Sequence, residues 1–266
     1  MQTTLAALIR YLNNVPVAEE NIIPWSCPVL CFGDPSTSTV ATLGLNPSNR
    51  EFVDGLGREL DGPSRRFHTL SSLGLNQWNE ANAQHLQLII ESYYAYFLRN
   101  PYDAWFRKLD YIISGTNASY YELPNTACHL DLIPYATAEK WTALSHSERS
   151  ALLSHASDTL GLLLRDCPIQ LLILNGNSVV ENFQEISGVQ LDKQAMDGWS
   201  LPRRSTTPVA GFAYKGLVRR ILDIELEREL LVLGFNHNIQ SSFGVTSEVV
   251  ASIHRWVGDT AEEVLS

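Results

Sequence analysis

Residues 40–49 read VATLGLNPSN, and the reading of this run decides the fold. Residues 40–45 are apolar without polar alternation, which predicts a strand covered on both faces. The Asn46-Pro47-Ser48 that follows is turn sequence, and Pro47 has no N–H with which to continue a ladder. The same pattern recurs downstream in residues 126–133 (TACHLDLI), 169–174 (IQLLIL) and 230–235 (LLVLGF). Helical stretches are expected near residues 80–99, 102–114 and 145–164, with another after Asn175 and a last one near 247–257. Ser145, three residues before Glu148, predicts a reciprocal capping box. Strands alternating with helices predict an α/β fold. The expectation is a three-layer α/β/α sandwich with a central, mainly parallel four-stranded sheet, in a single domain over residues 1–266.

Composition bounds the rest. Hydrophobic residues make up 45% of the 266 and charged residues 18%, which fits a buried core rather than disorder. No apolar run approaches the ~20 residues that a membrane-crossing helix needs. The opening MQTTLAALIRYLNN has no basic stretch or small-residue cleavage site and reads as a short amphipathic helix. Cys27, Cys31, Cys128 and Cys167 are sparse, and only the first two lie close together. They read as buried apolar side chains rather than ligands of a cluster. His68, His85, His146, His155 and His254 show no metal-like clustering. The expectation is a cytoplasmic monomer with no cofactor and no bound metal.

The formal net charge of −10 opposes phosphate binding unless a basic strip sits on an acidic body. Arg65-Arg66, Arg203-Arg204 and Lys215 with Arg219-Arg220 are candidates for that strip, and each also reads as an ordinary solvated face. In open α/β sheets ligands bind beyond the carboxyl ends of the strands. Three of those ends are rich in short polar residues: 44–49 (GLNPSN), 175–178 (NGNS) and 236–242 (NHNIQSS). The fourth run carries an acid, Asp131, within apolar sequence.

These segments carry a resemblance. LGLNPS at 43–48 resembles the first active-site motif of the uracil-DNA glycosylase superfamily in its G-x-N-P-G form. NHNIQSS at 236–242 stands where that superfamily has H-P-S-x-x-S or N-P-S-x-x-S. It keeps the first Asn and the later Ser, but has His237 for Pro and Asn238 for Ser. LDLIPYAT at 130–137 resembles the N-L-V-P-W stretch, with Asp131 in place of a base-reading Asn. LILNGN at 172–177 resembles the remaining strand and its glycine turn. The resemblance covers residues 40–257, and the order of the motifs is more specific than any one of them.

The resemblance implies an enzyme that flips a nucleotide out of DNA and hydrolyses its glycosidic bond. Asn46 would orient the attacking water, and Asn236, His237 or Asn238 would donate to the departing base. His237 is the donor among them that could be cationic near neutral pH. Phe52, or else Phe67, would stack on the base. Ile239, Gln240 or Phe243 would fill the vacated stack. Ser48, Ser241, Ser242, Arg203 and Arg204 would hold the DNA.

Each residue has a plainer reading. Asn-Pro-Ser is common turn sequence. Asn236-His237-Asn238 could cap a loop, Asp131 could be a structural acid paired with His129 or an arginine, and both phenylalanines could be core. No lysine stands in the motifs to form a Schiff base, so a monofunctional hydrolase is expected. An ionised Asp131 can only accept. It suits the exocyclic amine of cytosine and opposes O4 of uracil. That points to a modified cytosine, hydroxymethylated or glucosylated as in phage DNA, and to antiviral defence. Uracil repair, non-catalytic nucleic-acid binding and hydrolysis of free nucleosides are the alternatives.

Overall fold

The computed structural model describes residues 1–14, 21–99, 103–123, 127–203 and 207–265. Tyr102 and Thr126, at the expected starts of a helix and a strand, and Arg204 lie outside the described residues. The strands are β1 (Val40–Gly44), β2 (Ala127–Asp131), β3 (Leu171–Asn175), β4 (Asp192–Ala195), β5 (Phe212–Ile221) and β6 (Ile224–Phe235). They form one sheet in the order β2-β1-β3-β6-β5-β4. β2, β1, β3 and β6 run parallel, and β5 and β4 add antiparallel strands beside β6. The helices are α1 (Gln2–Asn14), α2 (Leu70–Leu73), α3 (Ala83–Tyr94), α4 (Tyr96–Arg99), α5 (Asp103–Ile113), α6 (His146–Asp166), α7 (Asn177–Ser187) and α8 (Ser247–Leu265).

The α/β class holds, but among the described residues the sheet has six strands rather than four. The four expected runs are its parallel part, and their buried residues explain why they read as continuous apolar sequence. The unexpected strands have weaker signals. All four residues of β4 are exposed and polar or small, and β5 is interrupted by an irregularity between Val218 and Arg220. β6 begins six residues before the apolar run, in an alternating segment (IELERE) whose side chains are partly or fully exposed. The Ser145–Glu148 capping box is present at the start of α6.

The β2 edge is partly covered by chain, and the β4 edge is a short, exposed strand bearing charges. Beyond β2, Phe32 and His129 exchange backbone hydrogen bonds of 2.8 and 3.0 Å, and Ala127 N–H donates to Ser119. At the other edge, Lys193 of β4 folds its ammonium over the Phe212 ring at 4.1 Å. Under β1 and β2 lies an aromatic core. Phe32 meets Phe67, Tyr96, Phe106 and the His129 ring, mostly edge to face. Such pairs add about 0.5–1.5 kcal/mol each beyond their buried area. This rigid floor supports the carboxyl ends of the parallel strands.

Candidate functional site

A cleft of about 380 Å³ opens at the carboxyl ends of β1, β2 and β3, where the strand-end rule places a ligand. Gly44 and Asn46 follow from β1, Asp131 from β2, and Asn175 from β3, while Asn238 reaches it from beyond β6. Phe32, Trp105, Phe106 and Trp141 supply aromatic walls. Its volume is that of an ordinary small-molecule site.

Asn46 is held by its amide nitrogen. Nδ2 donates to Thr137 Oγ1 at 3.0 Å and to the carbonyls of Pro47 and Tyr135 at 3.2 and 3.4 Å. Because carbonyls only accept, this end must be the NH2, and the carboxamide oxygen is turned away from them. No described residue bonds that oxygen.

Asp131 lies beside β1, and its presence requires Gly44. A methyl group on Gly44 would stand 2.3 Å from Asp131 Oδ1 and 3.0 Å from His129 Nε2. The parallel register pairs Gly44 with Asp131 and Thr42 with His129, so alternation brings all four to one sheet face. His129 Nε2 faces Asp131 Oδ1 at 3.5 Å, within ion-pair range but long for a hydrogen bond. Behind it, His129 Nδ1 is 2.7 Å from Thr42 Oγ1, which also bonds the Tyr120 hydroxyl. If Tyr120 donates to Thr42 and Thr42 to Nδ1, the Nε2 proton points at Asp131. The pairing with His129 considered from sequence is therefore present, and Asp131 lines the cleft as well.

Glu51 also lines the cleft, and sequence reasoning missed it. It ends the short turn Asn49–Glu51, whose first residue follows the Ser48 cap; Ser48 Oγ accepts from Arg50 N–H. Its carboxyl is buried, accepts from the Tyr96 hydroxyl at 3.1 Å and lies 3.8 Å from Arg66. Burial raises its pKa to about 8, against the opposing pull of Arg66 and Tyr96, and Asp131 adds a smaller upward push. In sequence it is the acid of an Asn-Arg-Glu run, which reads as surface.

The loop after β6 departs from the expected roles. Asn236 uses both ends of its amide as a clamp: Oδ1 accepts from Phe212 N–H and Nδ2 donates to Ala210 O, each at 2.8 Å. It does not line the cleft. His237 is buried, with Nε2 2.7 Å from the Trp199 carbonyl, so that nitrogen carries the proton. Burial lowers its pKa and nearby Arg203 lowers it further, against the Trp199 bond. A cationic donor facing the base is the wrong picture for this side chain. Asn238 does reach the cleft, packing against Gly176, whose φ of 102° and 3.0 Å approach favour glycine. Its Oδ1 accepts from Gln240 and Ser241 N–H, both at 3.0 Å.

Phe52 and Phe67 are core, away from the cleft. Phe52 meets Trp25 and Phe67, while Phe67 stacks on Tyr96 with centroids 5.2 Å apart. Of the four aromatic residues that do line the cleft, Trp105 is partly exposed and Phe32, Phe106 and Trp141 are almost fully buried. Ile239 is buried and Gln240 is bonded to Asn175, whereas Phe243 is 66% exposed. Arg203 lies over the Phe243 ring at 5.4 Å. Ser241 is exposed and Ser242 partly so, outside the cleft, while Ser48 is on its rim.

A second cleft, of about 460 Å³, is lined by Arg65, Arg66, Tyr96 and Arg99, and two of these, Arg66 and Tyr96, contact Glu51 of the first. It was not singled out from sequence beyond the Arg65-Arg66 pair, since Arg99 is remote in the chain. All four cysteines are buried and form no disulfide, and burial raises their pKa values. Among the described residues no group of three or more His, Cys, Asp or Glu is placed to hold a metal, and no helix is long and apolar enough to cross a membrane. No protein-family model matches this chain, and no curated protein matches it.

Proposed function

We propose that the chain is a DNA glycosylase that hydrolyses the bond between a flipped pyrimidine and its sugar. The observation that carries this reading is that Asn46 and Asp131, from neighbouring strand ends, line one cleft large enough for a flipped base. The free carboxamide oxygen of Asn46 can accept from a water and aim it at the sugar. An amide is a poor base, so its contribution is orientation. The aromatic walls replace Phe52 and Phe67 as stacking surfaces. A helix–sheet–helix sandwich leaves this cleft at one end of the sheet, where a flipped nucleotide can enter without disturbing the core. A separate cleft carries Arg65, Arg66 and Arg99 beside Asp54, a local excess of positive charge on an acidic protein that suits phosphates.

The substrate we infer is a modified cytosine. Asp131 as a carboxylate accepts from the N4 amine and opposes uracil's O4. A substituent at C5 would separate the target from ordinary cytosine, which suits defence against phage DNA. The test is mass spectrometry of bases released from DNAs containing uracil, cytosine, hydroxymethylcytosine or glucosylated cytosine. Release of a modified cytosine with abasic sites left behind is expected. Asp131→Asn should shift preference towards uracil. Hydrolysis of free nucleosides alone, which the net charge of −10 favours, would replace the reading, as would binding without release.

A further inference from the structure

We propose that Glu51 is a catalytic acid of this cleft, giving its proton to the base as the glycosidic bond breaks. The inference rests on the glycosylase reading and adds to it a residue that neither the motifs nor their spacing assigns. Its first support is placement. The turn that follows Asn46-Pro47-Ser48 carries Glu51 back under the cleft, where its carboxyl is only 4% exposed yet shares the lining with Asn46 and Asp131.

The second support is what surrounds the carboxyl. Oε2 accepts from the Tyr96 hydroxyl of α4 and faces Arg66, and Oε1 bonds no described residue. The charged and titratable groups around Glu51 are Arg66, Tyr96 and Asp131, with His129 and Lys140 further round the cleft. Arg66 and Tyr96 favour the anion, while burial and Asp131 favour the acid and outweigh them. With a pKa near 8, the group holds its proton at neutral pH and can still release it. Two carboxyl groups in one cleft with different surroundings can divide the work, one donating and one accepting.

The third support is chemical need. Uracil leaves as an anion spread over two carbonyl oxygens, whereas cytosine has one, so its anion is harder to expel. Protonation at N3 or O2 lets it leave neutral. In the step proposed, the electron pair of the C1′–N1 bond goes to the base and the Glu51 proton neutralises it. The oxygen of the water oriented by Asn46 bonds C1′. The proton that water loses passes through solvent and restores the Glu51 acid, so the sum is hydrolysis.

The experiment compares release of a modified cytosine from DNA by native protein and Glu51→Gln across about pH 5–10. Native kcat/KM should fall about tenfold per pH unit above pH 8. Glu51→Gln should be slower by on the order of 10²–10⁴ and lack that alkaline limb. Tyr96→Phe removes a bond that favours the anion, so its limb should move to higher pH. An infrared carboxylic-acid band at neutral pH, lost in Glu51→Gln and above about pH 8, reports the proton without any substrate. An unchanged alkaline limb in folded Glu51→Gln, or no such band in native protein, overturns the role of Glu51 and leaves the glycosylase reading standing. No release by native protein from any of the DNAs overturns the glycosylase reading itself.

Discussion

The loops after β1 and β6 are built from nearly the same residues and put them to opposite uses. After β1, Asn46 spends only its NH2 on the protein, leaving its oxygen without a partner among the described residues. After β6, Asn236 spends both ends on the first turn into β5, and His237 spends its proton on Trp199. The first loop leaves Asn46 half unspent, whereas the second consumes Asn236 and His237 and brings only Asn238 to the cleft. The cause is the neighbouring chain: β1 is flanked by parallel strands, whose ends are open, whereas β6 has an antiparallel partner whose entry segment needs partners of its own. Position at a parallel strand end thus creates an opportunity for function, and satisfaction of the hydrogen bonds decides whether it is kept.

That contrast can be broken in three places. Asn46→Ala should lower base release by on the order of 10²–10³, as loss of one oriented polar group at a reacting centre does. Its stability should fall by only about 1 kcal/mol, the net worth of a hydrogen bond. Single-turnover rates beside a denaturant melt separate the two effects, and near-native turnover would erase the distinction between the loops. Gly44→Ala should cost about 1–3 kcal/mol by overpacking, because the new methyl meets the Asp131 carboxylate. It should also blur selection between uracil and cytosine derivatives; full stability with intact selectivity would mean that Asp131 is freely movable. The smallest effect is expected for Asn236→Ala. It should lose about 1 kcal/mol in a chemical melt while the folded variant keeps the native kcat/KM for the proposed base release. A catalytic defect without a stability defect would return Asn236 to the site.

The parallel half of the sheet was legible because its residues are buried on both faces, and burial on both faces leaves one unbroken apolar signal. β4 and β5 were not, since Asp192–Ala195 are wholly exposed and Lys215, Arg219 and Arg220 read as a basic patch rather than as strand residues. Arg219 is in fact paired with Glu229 across to β6 at 3.0 Å. At the cleft, sequence located the segments around Asn46, Asp131 and Asn238. It could not tell which way a side chain turns: Phe52 and Phe67 face Trp25 and Tyr96, and Glu51 faces inward from a run that looks solvated. Those directions depend on residues distant in the chain, and no local pattern encodes them.

The two sheet borders have a consequence for how copies of this protein meet. An open border offers a ready template on which another chain can align its own backbone. Here one border is occupied by the segment around Phe32, and the other is a four-residue strand bearing Asp192 and Lys193 with the lysine drawn over Phe212. A neighbour seeking to add a strand would have to expel the first segment or strip water from the charges of the second. Both margins thus disfavour the addition of a further strand, one by cover and the other by shortness and charge.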